Sequence, residues 1–575
     1  MENDSFTEQP VPESPIAADA GQRTRDIARS TAVVMAAFLV AKVISLGQVV
    51  IIANQVGVGS EWDTFVTANR IPELIFTLIA GGALAHAFIP VFSGYLAKGD
   101  RRRAWEVASH VINTIFMVTL FFSIIAFLAA PWIVQHVVAP GFNVTETAQT
   151  VEVMRILLVT TLIFSVSGMV MGILQSHNHF LLPALAPIMF DVGILFGVIV
   201  LLGPFGVHGI AMGAVLGALM HLGIQVPGLM RFGARWNVAL GLRDPVLWQV
   251  LRLMLPRVAG LGVFSFNFII MNNIASRLGP GSVSALDWGW RLMQIPQTLI
   301  GTAMGVVIFP TLAALSELGD LSGKRDSMVG ALRFILVASI PSAVALIMIG
   351  RPVIGLLERG AFDATASALV YSTLQFFALG LIVHSVLEVI ARSFYADKDT
   401  LTPLYAALGG ATINLVLSLL LTGVERVELL TISTMALAQF DGLGSYMPAE
   451  HGQVGMLALA NSLGVFFEVG FLLVILRRRW AGIRENALAQ TVLRATAASL
   501  VMAAAIVAVG SALSALGFNT SSLRDSVVQV IGRGGVGLIT FLTVAWLLGM
   551  EELRMLRALI QRSDREAVTE VLATG

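Results

Sequence analysis

Long apolar stretches alternate with short polar segments along almost the whole chain. An α-helix needs about 20 apolar residues to cross the hydrocarbon core of a bilayer, and most of these stretches reach that length. The pattern therefore predicts an all-α polytopic membrane protein of about fourteen transmembrane helices. The predicted spans are centred near residues 42, 77, 118, 163, 193, 218, 262, 300, 338, 380, 412, 465, 500 and 538.

The pattern repeats itself after 220 residues, so that Phe142 and Pro183 recur as Phe362 and Pro403. The offset corresponds to six predicted spans, an even number, so both copies insert in the same direction. Parallel repeats of this kind are typical of many secondary transporters, whose substrate site lies between the halves. Further pairs at this offset include Thr145 with Thr365, Leu181 with Leu401, Pro90 with Pro310, and Asp100 with Asp320.

The repeat predicts two parallel, pseudo-symmetric six-helix lobes. We expect an N-lobe over residues 29–235 and a C-lobe over residues 245–476, with an external loop at 424–452. Spans 13 and 14, over residues 485–550, have no partner in the repeat and are an addition. The polar segments 1–28 and 551–575 are expected to be cytoplasmic tails, the first of them disordered.

Basic residues concentrate in the loops that a fourteen-span count places on one side of the membrane. Examples are the runs Arg101-Arg102-Arg103 and Arg477-Arg478-Arg479. Because basic loops stay in the cytoplasm, we expect both termini there.

Composition narrows the function classes. The chain has 575 residues, of which 56% are hydrophobic and 13% charged, against about 25% charged in a soluble domain. A net charge of zero gives no support for nucleic-acid binding, and the absence of cysteine excludes disulfides and thiolate metal sites. No phosphate-binding loop, HExxH motif or nucleophile elbow is present. We therefore expect no enzyme activity, no cofactor and no bound metal, with transport energy from an ion gradient, the membrane potential or downhill flow.

Several charged residues lie inside predicted spans, where each costs roughly 2.5–3.5 kcal/mol to insert and usually faces a cavity. They cluster in the first two spans of each lobe and in span 10. The distribution predicts an interlobe cavity with a net cationic lining. The predicted cationic contacts of this cavity are Lys42, Arg70, Arg257 and Arg291.

Acidic and histidine side chains in the same spans are candidates for coupling transport to an ion gradient. They are Asp63, Glu73, His384 and Glu388. Structural alternatives stay open for three of them. Asp63 could cap the start of span 2, Glu73 could pair with Arg70 three residues earlier, and His384 could be a packed, hydrogen-bonded histidine.

Proline and glycine interrupt two spans that the repeat relates to each other. Proline removes a helix hydrogen bond, and glycine permits bending or close packing. Such interruptions favour gating hinges, with ordinary glycine packing as the alternative. The predicted hinge residues are Pro72, Gly81 and Gly82 in span 2, and Pro296 and Gly301 in span 8.

Local motifs resemble those of the MurJ/MviN lipid II flippase family, within the superfamily of multidrug, oligosaccharidyl-lipid and polysaccharide exporters. The resemblance covers about residues 30–550. It is carried by Asp63-Thr-Phe-Val-Thr-Ala-Asn-Arg70-Ile-Pro72, Asn178-His-Phe-Leu-Leu-Pro183, Arg291-Leu-Met-Gln-Ile-Pro296 and Asp399-Thr-Leu-Thr-Pro403.

The resemblance implies a flippase that carries undecaprenyl-diphosphate-linked peptidoglycan precursor, lipid II, to the outer leaflet by alternating access. It implies a bacterial inner-membrane location, a role in cell-wall biogenesis and cell shape, and possible cell-wall synthesis proteins as partners. Arginines in the central cavity would meet the diphosphate, and spans 13 and 14 would line a groove for the lipid tail.

The chain departs from the family pattern at charged positions. The family has arginine where this chain has Lys42, Gln48 and Phe76, and often an acid where it has Gly81 and Gln294. Alternatives to lipid II transport therefore stay open. They are a flippase for another lipid-linked glycan, a small-molecule exporter of the same superfamily, and a non-transporting pseudo-flippase in cell-wall assembly.

Some family members resemble sodium-coupled carriers with oxygen ligands on spans 7 and 11. The only obvious analogues of these ligands in this chain are the neutral side chains of Asn267, Asn272, Asn414 and Ser418, and no acidic residue matches. They are therefore weak candidates for a sodium site.

Overall fold

The chain folds into long helices that follow the predicted spans. The computed structural model describes residues 44–45, 47–79, 82–177, 179–423, 452–518, 522–550 and 552. Its helices are α1 (47–55), α2 (Ser60–Ile79), α3 (Gly82–Ala97), α4 (Arg101–Val138), α5 (Val144–Ser176), α6 (Leu181–Phe205), α7 (Val207–Arg231), α8 (Pro245–Ser276), α9 (Ser282–Glu317), α10 (Leu321–Gly355), α11 (Ala364–Ala396), α12 (Leu401–Thr422), α13 (Gly452–Arg479), α14 (Glu485–Ala515) and α15 (Leu523–Leu547).

Eleven of these helices are long and apolar enough to cross a membrane. The three remaining predicted spans correspond to α1, to α2 with α3, and to α8. Large apolar side chains face outward, as on α4, where Phe121 is 60% and Leu128 71% exposed. Such a surface requires lipid as its solvent. The prediction of an all-α membrane fold is confirmed.

Helix starts preserve the 220-residue repeat at the level of single hydrogen bonds. Asp100 accepts from the Arg103 N–H at 3.0 Å at the start of α4, and Asp320 accepts from the Gly323 N–H at 2.9 Å at the start of α10. Asn143 and Asp363 cap α5 and α11 in the same way. Each cap satisfies a backbone donor that the first turn leaves free.

Helix packing follows the same repeat. In the first half α4 packs on α5, α2 on α5, α5 on α7, and α6 on α7. Six spans later α10 packs on α11, α9 on α11, α11 on α13, and α12 on α13. This scheme is what two lobes of parallel topology require. The lobe boundaries, the external loop and the two tails stay predictions, and residues 1–28, 424–451 and 553–575 lie outside the described part of the chain.

The first turn of α8 is tied to the first half of the molecule. Asp244 accepts hydrogen bonds from Arg103 at 2.7 Å and from the Val246 N–H at 3.1 Å, and it contacts His110 at 3.0 Å. Burial opposes ionisation of Asp244, but these hydrogen bonds and the Arg103 charge lower its pKa below the usual range. The segment that joins the two halves is therefore held against α4.

Span 8 is a continuous helix with one widened turn. The π-helical turn Thr298–Thr302 follows directly after Pro296 and Gln297. Gly301 lies in this turn against α11, where a Cβ would come within 2.7 Å of the Ser385 Cα. A widened turn after a proline is a common place for a helix to change direction.

Span 2 holds its predicted proline without ending. Pro72 lies inside α2, and its carbonyl accepts from the Thr161 hydroxyl at 3.2 Å. Gly81 lies outside the described residues, and Gly82 begins α3. Hinge motion in either span stays a prediction.

Candidate functional site

A cleft of about 280 Å³ lies between α2, α8 and α9. It is therefore bounded by helices from both halves of the chain, where the repeat predicts a substrate site. Its lining combines charged, amide and aromatic side chains. The lining residues are Phe65, Val66, Asn69, Arg70, Glu73, Phe264, Ser265, Phe268, Met271, Asn272, Val283, Leu286, Asp287, Trp290, Arg291, Gln294 and Phe377.

Arg70 enters the cleft from α2 and is held by residues of α8. Its Nε donates to Asn272 Oδ1 at 3.2 Å, and its guanidinium lies 5.5 Å from the centre of the Phe268 ring. Glu73 is 3.9 Å from Arg70, within the pairing distance that the sequence suggested. Only 14% of the Arg70 side chain is exposed, against 53% for Glu73.

Arg291 enters the cleft from α9 and, unlike Arg70, is more exposed than its acidic partner. Its Nε donates to Asp287 Oδ2 at 2.7 Å, and 46% of its side chain is exposed, against 10% for Asp287. The same Asp287 oxygen accepts from Trp62 Nε1 of α2 at 3.2 Å. The Arg291 guanidinium lies 5.8 Å from the centre of the Trp62 ring. Each arginine thus contacts an aromatic ring from the other half of the molecule.

The described lining carries two arginines and two carboxylates, so its formal charges balance. Lys42 lies outside the described residues, and only the backbone of Arg257, on α8, is described. Gln48 and Phe76 occupy two positions where the resemblance implies arginine, and both side chains make contacts of another kind. Gln48 donates to the Asp191 carbonyl at 3.5 Å, and Phe76 packs against Phe164 with ring centres 5.6 Å apart.

Asp63 closes one end of the cleft by capping a helix of the other half. Its carboxylate accepts from the N–H groups of Gly281 and Ser284, each at 2.6 Å, and from the Ser284 hydroxyl. The start of α9 has no side-chain cap of its own at Gly281. Asp63 is the fourth residue of α2, so it is not the cap of its own helix that the sequence suggested.

Neighbouring contacts strengthen this closed end. Asn272 Nδ2 donates to Thr67 Oγ1 and to the Val138 carbonyl, each at 3.1 Å. The Trp288 indole donates to the Gly57 carbonyl at 3.3 Å. Gly57 has φ +71°, and a Cβ there would lie 2.2 Å from the Ala361 carbonyl oxygen. We refer to these contacts and those of Asp63 as the seam.

The coupling candidates of span 10 lie on α11, and His384 contacts the cleft residue Trp290. Glu388 pairs with Arg392 at 3.1 Å on α11. His384 packs edge-on against Trp290, with ring centres 5.2 Å apart, and its Nε2 is 3.4 Å from Asn461 Oδ1. Both residues therefore have local structural partners, and His384 has the packed, hydrogen-bonded environment noted as its alternative.

Three of the four weak sodium candidates meet one another between α8 and α12, whereas Asn272 lies in the seam. Asn414 donates to Asn267 Oδ1 at 2.7 Å, and the Ser418 hydroxyl donates to Asn414 Oδ1 at 3.2 Å. All three side chains are buried. The described residues contain no group of three or more His, Cys, Asp or Glu that could hold a metal ion.

An apolar groove of about 350 Å³ lies between α10, α14 and α15. At one end Glu552 is 2.8 Å from Arg333 Nε and accepts from the Thr491 hydroxyl at 3.1 Å. The groove lies where the resemblance implies a lipid-tail site. Its lining is Phe334, Val337, Ala338, Pro341, Ser342, Ala345, Ile349, Met502, Ile506, Gly534, Gly537, Leu538, Phe541, Leu542 and Glu552.

Sequence reasoning missed several polar residues. Asn69 lines the cleft, but an uncharged side chain gives no strong signal in an apolar span. Glu468 and Arg533 are charged and lie well inside α13 and α15. The rule that singled out Arg70 and Arg291 could have found them.

Comparison with known proteins gives consistent matches. A family model described as lipid II flippase MurJ matches residues 52–528. A protein of Rhizobium tropici described as a probable lipid II flippase MurJ is 28% identical over 554 residues, which covers 92% of this chain and 97% of that protein. The lipid II flippase MurJ of Burkholderia cenocepacia is 28% identical over 381 residues, covering 64% of this chain and 73% of that protein.

Solved structures match the fold. A structure of lipid II flippase MurJ in an inward closed conformation has a TM-score of 0.71 at 20% identity, covering 90% of this chain and 99% of that one. An inward-facing multidrug resistance MATE family transporter of the MOP superfamily has a TM-score of 0.61 at 15% identity, covering 77% of this chain and 96% of that one.

Proposed function

The chain belongs to the lipid II flippase MurJ family, and from that premise we propose that it carries lipid II from the inner to the outer leaflet of the bacterial inner membrane. The observation that carries the proposal is the half-exposed Arg291 in a cleft between the two halves. A diphosphate needs charged donors, and arginine binds phosphate oxygens through two parallel N–H groups. This movement of lipid II makes and breaks no covalent bond, so the proposed activity is that of a transporter.

Arg291 is the first contact of the diphosphate in this proposal, because its guanidinium is the more exposed of the two. A phosphate oxygen on Arg291 competes with Asp287 for the same donors. Asp287 then loses its strongest partner while it still accepts from Trp62 across the cleft. A guanidinium drawn towards the phosphate also moves away from the Trp62 ring of α2, so substrate binding weakens that contact between the halves.

The seam is the external gate in this proposal, and both termini are cytoplasmic. The seam lies among the loops after α1, α4, α8 and α10, opposite the basic loops that begin at Arg101 and Arg477. An outward-moving diphosphate gains about 2.3 kcal/mol per charge per 100 mV of inside-negative potential. The potential can therefore assist export without a dedicated ion site.

The isoprenoid tail occupies the groove between α10, α14 and α15. The groove lining is almost wholly apolar, and its walls include Gly534 and Gly537, which leave room for a chain. The polar head and the tail would thus have separate sites. Association with other cell-wall synthesis proteins is part of the same proposal.

Complementation of a flippase-depleted bacterium tests the proposal. The wild-type chain should restore growth and cell shape, and Arg291→Ala should fail at equal membrane abundance. Arg494→Ala, which removes an exposed arginine from α14, is the matched control and should rescue. Good expression of the wild-type chain without rescue would contradict lipid II as substrate. It would favour another lipid-linked glycan or a non-transporting role.

Orientation can be tested by chemical labelling, because the chain has no cysteine. Arg102→Cys and Thr145→Cys place single thiols at exposed positions on opposite ends of the bundle. A membrane-impermeant maleimide added to intact cells should label position 145 and spare position 102. The reverse pattern would contradict the proposed orientation.

Export of small cations is the second candidate, favoured by the exposed Glu73 carboxylate in the cleft. In that case Glu73→Gln would abolish resistance to cationic dyes, while Arg291→Ala would leave it intact. Under lipid II transport the two variants have the opposite ranking.

A further inference from the structure

A row of polar side chains runs along α15 outside the central cleft. Ser526, Gln529 and Arg533 are three and four residues apart, so they share one helix face. Ser526 and Gln529 are buried, with exposures of 0% and 1%. Within the described residues, Ser526 Oγ, Gln529 Oε1 and Arg533 Nε have no hydrogen-bond partner. Unsatisfied polar atoms at membrane depth are costly, so they point to a bound group.

Small residues make room for the Arg533 guanidinium inside the helix pair. A Cβ on Gly510 of α14 would lie 2.4 Å from Arg533 Cζ, so the guanidinium lies directly on the Gly510 backbone. Arg533 itself stands between Gly532 and Gly534. In the part of the chain that the structure describes, no carboxylate forms an ion pair with it. An intramembrane arginine without a charge partner is a site candidate.

Arg533 lies beside the apolar groove, next to the lining residue Gly534 and one turn from the lining residue Gly537. Its neighbour Gly534 lines the groove opposite Ile349 of α10, and Gly510 follows the lining residue Ile506 by one turn of α14. The groove extends along α10 from Phe334 to Ile349, about 22 Å at helical rise. At one end Glu552 already neutralises Arg333. The groove therefore has one neutralised arginine at an end and one cationic arginine beside it.

We propose that Arg533 binds the phosphate of a membrane lipid whose apolar chain occupies the groove. The guanidinium offers paired N–H donors, which suit phosphate oxygens. Two sources share this chemistry, an isoprenyl phosphate and a glycerophospholipid. The site is separate from the central cleft, and a lipid bound there competes with the lipid II tail for the groove that the proposed function assigns to that tail.

Native mass spectrometry of the full chain measures this binding directly. The purified protein is titrated with undecaprenyl phosphate, with phosphatidylglycerol, and with diacylglycerol as a phosphate-free lipid. We expect at least one phosphate lipid to bind more tightly than diacylglycerol. Arg533→Gln should weaken that binding about tenfold, the loss expected for one charge-assisted contact. The matched control Arg494→Gln should bind as the wild type does.

Two further variants separate binding from folding. Arg533→Lys keeps the charge and should recover part of the affinity. Gly510→Ala keeps the arginine but displaces it, and should weaken phosphate-lipid binding without affecting diacylglycerol. Thermal unfolding of each variant in lipid-free detergent reports its fold. Equal binding of phosphate lipids to folded Arg533→Gln and wild type would overturn the proposal, as would equal binding of diacylglycerol.

Comparison of the titrations with the two phosphate lipids identifies the kind of lipid that the site binds. Binding of undecaprenyl phosphate alone assigns the site to the isoprenoid carrier, and binding of phosphatidylglycerol as well assigns it to bulk phospholipid. Both outcomes support a phosphate site. Because the readout is binding without transport, its failure would leave the proposed flipping intact. A failed complementation would likewise leave this site intact.

Discussion

Arg70 and Arg291 line the same cleft from opposite halves of the molecule, and their environments are reversed. On α2 the arginine is mostly buried and its acid, Glu73, is exposed, whereas on α9 the acid, Asp287, is buried and the arginine is exposed. Arg70 is bonded to Asn272 across the cleft, but Arg291 is bonded to its own helix. This difference is the basis of the roles that we propose, in which Arg291 binds the substrate and Arg70 stabilises the contact between the halves.

Arg291→Gln should give the largest effect on transport. Loss of a charged donor to a phosphate costs about 1.5–3 kcal/mol, so lipid II affinity should fall about 10- to 100-fold. A flipping assay in proteoliposomes measures this against Arg70→Gln at equal protein. If Arg70→Gln lowers substrate affinity more than Arg291→Gln, the assignment of roles is reversed.

Asp63→Asn should open the seam that both arginines adjoin. The amide replaces an acceptor oxygen with a donor facing N–H groups, which removes roughly 1–3 kcal/mol from the closed state. Accessibility of a cysteine introduced at Val66 to an aqueous thiol reagent should increase. Asp100→Asn, which affects an exposed cap at the opposite end, is the control and should leave labelling unchanged.

Arg70→Gln should weaken closure by about 1.5 kcal/mol, the lower end for a hydrogen bond from a charged group, because one such bond across the cleft is lost while the other Asn272 contacts stay. The same labelling assay should show a smaller increase than for Asp63→Asn. Substrate affinity, measured separately, should change little. A large fall in substrate affinity with unchanged labelling would mean that Arg70 binds the substrate and does not stabilise the closed state.

Glu73→Gln should have the smallest effect. Its carboxylate is half-exposed and 3.9 Å from Arg70, and pairs of this kind contribute about 0–1 kcal/mol. We expect lipid II transport within about fivefold of wild type, since 1 kcal/mol corresponds to about a fivefold change. Complete loss of flipping would instead identify Glu73 as a coupling residue.

Hydropathy and the 220-residue repeat were sufficient to predict the all-α membrane fold, because spans and helix caps depend on local sequence. The paired caps Asp100 and Asp320 illustrate this directly. The local sequence also showed that Arg70 and Arg291 belong inside spans. It could not show which of them is exposed, since exposure depends on packing between helices distant in sequence. Asp63 demonstrates the same limit, because the helix start that it caps lies more than two hundred residues away.

The pair α14–α15 packs against α10 of the second half. When the halves rock against each other, α14 and α15 should therefore move together with the second half. A lipid chain bound in their groove would move with them. The tail of the flexible lipid would then stay bound to one moving half while its head group crosses from one side of the membrane to the other. In the proposed function the site for the lipid tail is separate from the gate, so mutations could change the length or shape of the groove without affecting gating.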